Sequence, residues 1–187
     1  PAALEWFKDA GLGLRIHWGL ESQLGISMEH SLINASPAFQ KRFFEDLPTY
    51  FDPRNFSPKE IARLAKLAGV QYVLFTVKSK SGFCLWDTDT NPFNIINTPY
   101  TKDLLKAYVE AVRAADLKVG LQYATDDYHF LYTHELPVKE TVMEELDEEL
   151  QESYEGLVEA QCKELFSNYG KIDVFFLEGK QADLAAK

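Results

Sequence analysis

At 187 residues the chain is long enough for one domain with a sizeable core, and a hydrophobic content of 46% is that of an ordinary folded protein. A net charge of −10 argues against a nucleic-acid backbone or an anionic membrane surface as partner. No apolar run approaches the roughly 20 residues that cross a bilayer. The start carries Glu5, Lys8 and Asp9, unlike a secretory leader, and the chain opens on Pro1 rather than Met, as expected of a trimmed or partial chain. Aromatics make up 13% of the residues, which suits sugar stacking and a packed core equally. Cys84 and Cys162 lack metal-ligand spacing and read as buried thiols.

In chain order, the first strand-like run is Leu12 to His17. Pro37 to Asp46 reads as a short helix inside the excursion that follows it. Ser57-Pro58-Lys59-Glu60 reads as a capping box, with proline at the first helical position. Ile61, Leu64, Ala65 and Ala68 form the expected apolar stripe, ended by Gly69. Tyr72 to Val77 is a continuous apolar run of the kind buried on both faces of a parallel sheet. Thr101 is placed to cap a helix whose face carries Leu104, Leu105, Tyr108, Val109 and Val112. Lys118 to Tyr123 is the third strand. A long helix is predicted from about Val138 to Asn168, with a stripe from Met143 to Phe166, and the acidic run Glu144 to Glu155 reads as its solvated face. Ile172 to Leu177 is the fourth strand. Strands alternating with helices predict a parallel α/β fold.

Each strand exits into polar, aromatic or acidic residues, at the end where strand–helix barrels carry their active sites. The first leads into His17-Trp18-Gly19. Its imidazole can donate to a substrate hydroxyl and its indole can cover a sugar ring; a buried His-Trp pair closing the floor is the equal alternative. The second leads into Lys78 to Thr88, which includes Trp86, and the third into Tyr123 to His129. The fourth ends in Glu178-Gly179, a partly desolvated carboxylate suited to act as nucleophile, base or ligand. The competing reading is a carboxylate paired with Lys78 or Lys180. Asp126 and Asp127 lack the histidine spacing of a metal pair, so no metal or cofactor is expected. His30 and His134 read as solvated.

The order of these motifs resembles glycoside hydrolase family 29, the α-L-fucosidases. The resemblance rests on Ile16-His17-Trp18-Gly19, Leu47 to Phe56, Gly82 to Thr88 and Asn94 to Pro99, then Asp103-Leu104, Ala111-Val112-Arg113, Leu117 to Leu121 and Asn168 to Asp173. It implies a retaining hydrolase acting on the fucose of glycans, in which a fourth-strand carboxylate attacks the anomeric carbon and a second carboxylate serves as acid and then base. By the same resemblance Glu178 stands at the nucleophile position and His17 matches a histidine that binds fucose hydroxyls. Trp18 adjoins it, and Tyr123 and His129 fall where the family places further pocket residues. Trp86 lies in a matched motif, as a pocket or a packing residue. The implied partner is a carbohydrate, and the implied location is secreted, periplasmic or lysosomal.

Three departures qualify this. The family's two adjacent histidines and aspartate before Gly-Phe read Ser79, Lys80 and Ser81 here, and its aspartate nucleophile reads Glu178. Its Glu-Trp element is absent, with Ser27-Met28-Glu29-His30 near that place. Lys80 is expected to pair with Glu178, and fucosidase activity to be weak or lost. The alternatives are a non-catalytic glycan-binding member and a glycosidase for another sugar. A closed TIM-type (β/α)8 barrel needs roughly 250 residues. Residues 1–187 are therefore expected to form its N-terminal half: four parallel strands with outer helices, the acid/base residue lying elsewhere. The fourth strand is expected to leave Val174, Phe175 or Phe176 on an open edge prone to self-association.

Overall fold

The computed structural model describes residues 2–26, 32–139 and 145–179. Met143, Lys180 and the segment Ser27-Met28-Glu29-His30 lie outside the described residues. Four strands, β1 (Gly13–Ile16), β2 (Tyr72–Lys78), β3 (Lys118–Ala124) and β4 (Val174–Glu178), form one sheet in sequence order. All neighbours are parallel, as expected. The register places Ile16 beside Phe75, Thr76 beside Gln122, and Ala124 beside Glu178. The C-terminal ends of all four strands thus share one edge.

Six α-helices accompany the sheet among the described residues. They are α1 (Ala2–Asp9), α2 (Pro37–Lys41), α3 (Pro58–Leu67), α4 (Leu104–Ala114), α5 (Tyr128–Thr133) and α6 (Glu148–Asn168). In α1, Trp6 and Phe7 lay their rings against Tyr72 at the start of β2. The expected helix from Pro37 to Asp46 is α2 followed by a wider turn over Arg42–Asp46.

Capping chemistry sets the helix starts. Ser57 caps α3 by accepting the Glu60 amide at 3.4 Å. Glu60 does not return the bond; its carboxylate takes the Arg63 guanidinium at 2.6 and 2.9 Å, so half of the capping box forms. Asp103, rather than Thr101, caps α4 by accepting the Lys106 amide at 2.9 Å. Thr101 sits in a left-handed turn at φ 50°, two residues too early. The long helix begins at Glu148 rather than near Val138, because Asp147 accepts the Leu150 amide at 2.9 Å and starts it there. An aspartate satisfying a first-turn donor outweighs the continued apolar period upstream.

Packing chose a different face of α3 from the expected stripe. Ala62 and Ala65 are buried while Leu64 and Ala68 stay exposed. Ala62 lines a groove between α3 and α4 together with Ala107, Ala111 and Ala114. In α4 all five expected residues are buried, and α6 buries Tyr154, Val158, Cys162 and Leu165. Glu148, Glu149, Glu152 and Glu155 of α6 face solvent, as read from the sequence, whereas Glu164 is half-buried. Tyr108 ties α4 to the sheet: its hydroxyl donates to the carbonyls of Val73 (2.6 Å) and Gly120 (3.1 Å), one on each central strand.

β1 and β4 each have one strand neighbour among the described residues, and Phe176 on β4 is 45% exposed. Val174 and Phe175 are half-buried. Both cysteines are buried free thiols. Burial raises both, Cys162 to about 11, so neither is a thiolate near neutral pH.

Tyr108→Phe should destabilise the fold by about 1 kcal/mol, the typical net worth of a buried hydrogen bond, with the far-ultraviolet circular dichroism unchanged. Urea unfolding monitored by fluorescence measures it, and an unchanged midpoint would show that the hydroxyl does not tie α4 to the sheet.

Candidate active site

The two faces of the sheet carry different chemistry. On the helix face, Phe75 stacks on Tyr108 (4.8 Å between ring centroids), and Phe175 packs against Phe166 and Tyr123. On the opposite face, polar side chains from all four strands meet at the C-terminal edge: Arg15 and His17 from β1, Thr76 from β2, Gln122 from β3 and Glu178 from β4.

Gln122, fully buried, is the hub. Its Oε1 accepts from Arg15 Nε at 2.8 Å and from Thr76 Oγ1 at 3.1 Å. Its Nε2 donates to Glu178 Oε2 at 2.5 Å. Arg15 Nη2 lies 3.9 Å from the same carboxylate oxygen and 3.3 Å from His17 Nδ1. Thr76 Oγ1 is 3.2 Å from His17 Nδ1. The imidazole therefore donates to Thr76 in its Nδ1-H tautomer and accepts from Arg15 in the other. Phe176 floors the cluster, with the Arg15 guanidinium 5.8 Å from its ring centre.

Glu178 is held through its backbone too. Its carbonyl accepts from the Thr125 amide (2.7 Å) and the Thr125 hydroxyl (3.1 Å). Gly179 then turns at φ 117°, where a side chain would strike Thr125 and Asp126.

Of the residues expected at the site, His17 and Glu178 join this cluster. Tyr123 does not. It is the next residue after Gln122, so alternation sends it to the helix face, where its hydroxyl donates to Gln161 on α6 at 2.6 Å. Trp86 is fully buried and donates from Nε1 to Glu164 of α6 at 2.9 Å; it is a packing residue. Trp18, half-buried, stacks face to face on Phe56 (5.1 Å, 5°) and meets Phe51. His129 stacks on Phe93 (4.3 Å, 9°) and packs against Phe44; burial, chiefly, lowers its proton affinity. His134 is exposed at the end of α5, over Phe130.

Lys78 and Lys80 do not pair with Glu178; Lys180 lies outside the described residues. The register slips between Thr76 and Lys78, so Lys78 turns to the helix face beside Tyr123. There, with no solvent exposure, its ammonium bonds Asp127 (3.0 Å), Gln161 (3.1 Å) and the Tyr123 hydroxyl (3.2 Å). Burial opposes that charge, but Asp127 and the surrounding polar groups outweigh it and hold the lysine well above its ordinary range. Asp127 also caps α5, accepting the Phe130 amide at 2.8 Å. Lys80 sits 3.8 Å from Asp126 rather than at Glu178.

Ser79 and Ser81 turn toward a carboxylate that the sequence reading passed over. Glu21, in the turn Leu20–Leu24 after β1, is completely buried. Its Oε1 accepts from Ser79 Oγ at 3.2 Å, and Ser81 Oγ lies 2.8 Å from Ser79 Oγ. Among the described residues Glu21 Oε2 accepts no hydrogen bond of good geometry. Burial raises its carboxyl above the ordinary range, against the pull of its own backbone, Ser81 and Ser79. Arg15, Thr76, Gln122 and Glu21 were legible in one respect: each is polar within or beside an otherwise apolar run.

A parallel strand–helix repeat with its polar groups gathered at the C-terminal edge is the layout of (β/α)8-barrel enzymes. The alpha-L-fucosidase family model matches residues 2–186, and the chain belongs to that family. It is 29% identical over 142 residues to the tissue alpha-L-fucosidase of Mus musculus, a match covering 68% of this chain and 31% of that one. Among solved structures it is similar to alpha-L-fucosidase isoenzyme 1 from Paenibacillus thiaminolyticus, at 29% identity and a TM-score of 0.74, over 94% of this chain and 42% of that one. It is also similar to an alpha-L-fucosidase from Lactobacillus casei in complex with alpha-L-fucose product, at 26% identity and a TM-score of 0.78, over 99% of this chain and 64% of that one. The chain thus spans about a third of the length of the curated relative, and its four strand–helix units correspond to part of the family's (β/α)8 barrel.

Glu21→Gln should stabilise the fold at pH 7.5 by on the order of 1 kcal/mol, because a neutral amide avoids the cost of burying a carboxylate. The gain should shrink toward pH 4. The sign follows from the raised folded-state pKa: between the unfolded and folded values the native state binds more protons, so stability falls as pH rises through that window. Urea unfolding at several pH values measures it. A gain that does not vary with pH contradicts a carboxyl whose proton affinity is raised by burial.

Proposed function

We propose that this chain supplies the N-terminal half of the catalytic barrel of a retaining α-L-fucosidase-type glycoside hydrolase, with Glu178 as the nucleophile. The observation that carries the reading is the convergence of Glu178, Gln122, Arg15 and His17 at the C-terminal strand edge of a chain that belongs to the fucosidase family. A glycan bearing terminal fucose enters from that edge. A Glu178 oxygen attacks the anomeric carbon as the glycosidic oxygen takes a proton from a second carboxyl outside this segment. Water, deprotonated by that second group, then cleaves the glycosyl ester and releases the sugar with its configuration retained. His17 hydrogen-bonds a sugar hydroxyl, its ring oriented from behind by Thr76 and Arg15.

The same site argues for a slow enzyme. Arg15, 3.9 Å from Glu178, stabilises the carboxylate and so opposes its attack, while Lys80 lies beside Asp126. Ser79 and Ser81 are engaged with Glu21, so they do not replace the sugar contacts that two imidazoles make elsewhere in the family. Glutamate at position 178 carries the attacking oxygen one methylene further than aspartate, and misplacement by about 1 Å costs on the order of a hundredfold. The non-catalytic glycan-binding reading draws on the same two serines.

In the intact protein, Glu178→Gln should reduce release of 4-nitrophenol from its α-L-fucoside at least a thousandfold, while Glu178→Asp should raise turnover above the wild type. Steady-state kinetics decide it: turnover unchanged by Glu178→Gln excludes Glu178 as the nucleophile.

A further inference from the structure

The orientation of the Gln122 amide follows from the chemistry around it. Arg15 Nε bears a hydrogen and no lone pair, so the Gln122 atom 2.8 Å away is the carbonyl oxygen. The Thr76 hydroxyl at 3.1 Å fills the second acceptor site of that oxygen. With both lone pairs of Oε1 engaged from β1 and β2, the amide cannot flip, and its N–H must face Glu178 on β4. The side chain is fully buried, so water does not compete for these contacts. The same oxygen holds the Arg15 guanidinium by Nε, leaving Nη2 at 3.9 Å from the carboxylate and short of a bidentate pair.

We propose that Gln122 is the positioning residue for Glu178: its locked amide presents one N–H to the carboxylate while its oxygen restrains Arg15 from closing onto that carboxylate. This rests on the reading of Glu178 as the nucleophile. Gln122 reaches His17 through Thr76 and Arg15, so one side chain sets the geometry of the attacking group and of the imidazole together.

Gln122→Glu in the intact protein isolates the effect. It keeps the acceptor for Arg15 and Thr76 and exchanges only the N–H donor for an oxygen. Among the described residues, Arg15 of β1, His17 just after it and Glu178 of β4 are the ionisable groups that face this position, and β2 contributes the Thr76 hydroxyl. On 4-nitrophenyl α-L-fucoside, kcat at pH 7.5 should fall about 10- to 100-fold with KM within about twofold, since two carboxylates then repel across the old hydrogen bond. The ratio of variant to wild-type kcat should climb as pH falls to 5. A proton taken up by the introduced carboxyl restores a donor toward Glu178. A ratio near one at every pH, or a loss that does not recover with falling pH, overturns the proposal.

A second measurement does not require that variant to fold or the wild type to turn over. The side-chain amide protons of Gln122, assigned by NMR in the wild type, should shift by several tenths of a part per million in Glu178→Ala. Unmoved resonances overturn the contact. Loss of the Glu178 reading appears differently: Glu178→Gln keeps wild-type turnover, or the wild type has none, while the Gln122 resonances still respond to Glu178→Ala.

Discussion

A lysine ammonium with no access to solvent organises the C-terminal side of this sheet. Lys78 closes β2, and the slipped register just before it places the side chain in the layer between sheet and α6. An isolated charge there would cost several kcal/mol, so the surrounding structure must answer it. Asp127 does so while capping α5, and Gln161 and Tyr123 satisfy the remaining protons. One buried ion pair thereby ties the end of β2, the β3 exit, α5 and α6 into one unit. The loops leaving β2 and β3 are fixed by it, Lys80 being held beside Asp126.

With Lys78 and Lys80 turned away, a smaller set of groups meets on the opposite face. Arg15, His17, Thr76, Gln122 and Glu178 are joined by hydrogen bonds that cross every strand pair. The amide at the hub is neutral, so it links an arginine and a carboxylate without bringing them into full contact. That arrangement suits a carboxylate that must be ionised yet reactive. It also accommodates the longer Glu178, which reaches Gln122, while Ser79 and Ser81 serve Glu21.

The sheet order, the parallel pairing, the four strand positions and the carboxylate at the end of β4 were readable from the chain. Apolar runs of strand length separated by capped helical stripes admit few arrangements, and Glu178 followed by Gly179 marks an abrupt strand end. The fucosidase motifs extended that reading to the family. Boundaries moved where a local donor or acceptor decided them, as at Asp103 and Asp147.

What the sequence by itself determined is the strand–helix alternation, because hydrophobic period and capping are local properties. Which side chains meet was decided by tertiary structure. Tyr123 and Gln122 are adjacent in the chain and equally plausible at a pocket, yet the pleat sends one to α6 and the other to Glu178. Lys78 follows the phase of β2 until the register slips, and no local signal announces that slip. Glu21 lies 58 positions from Ser79 and meets it because the turns after β1 and β2 converge at one edge. Contacts of this kind depend on strand register and on packing across the sheet, which bring together residues that the local pattern treats as independent.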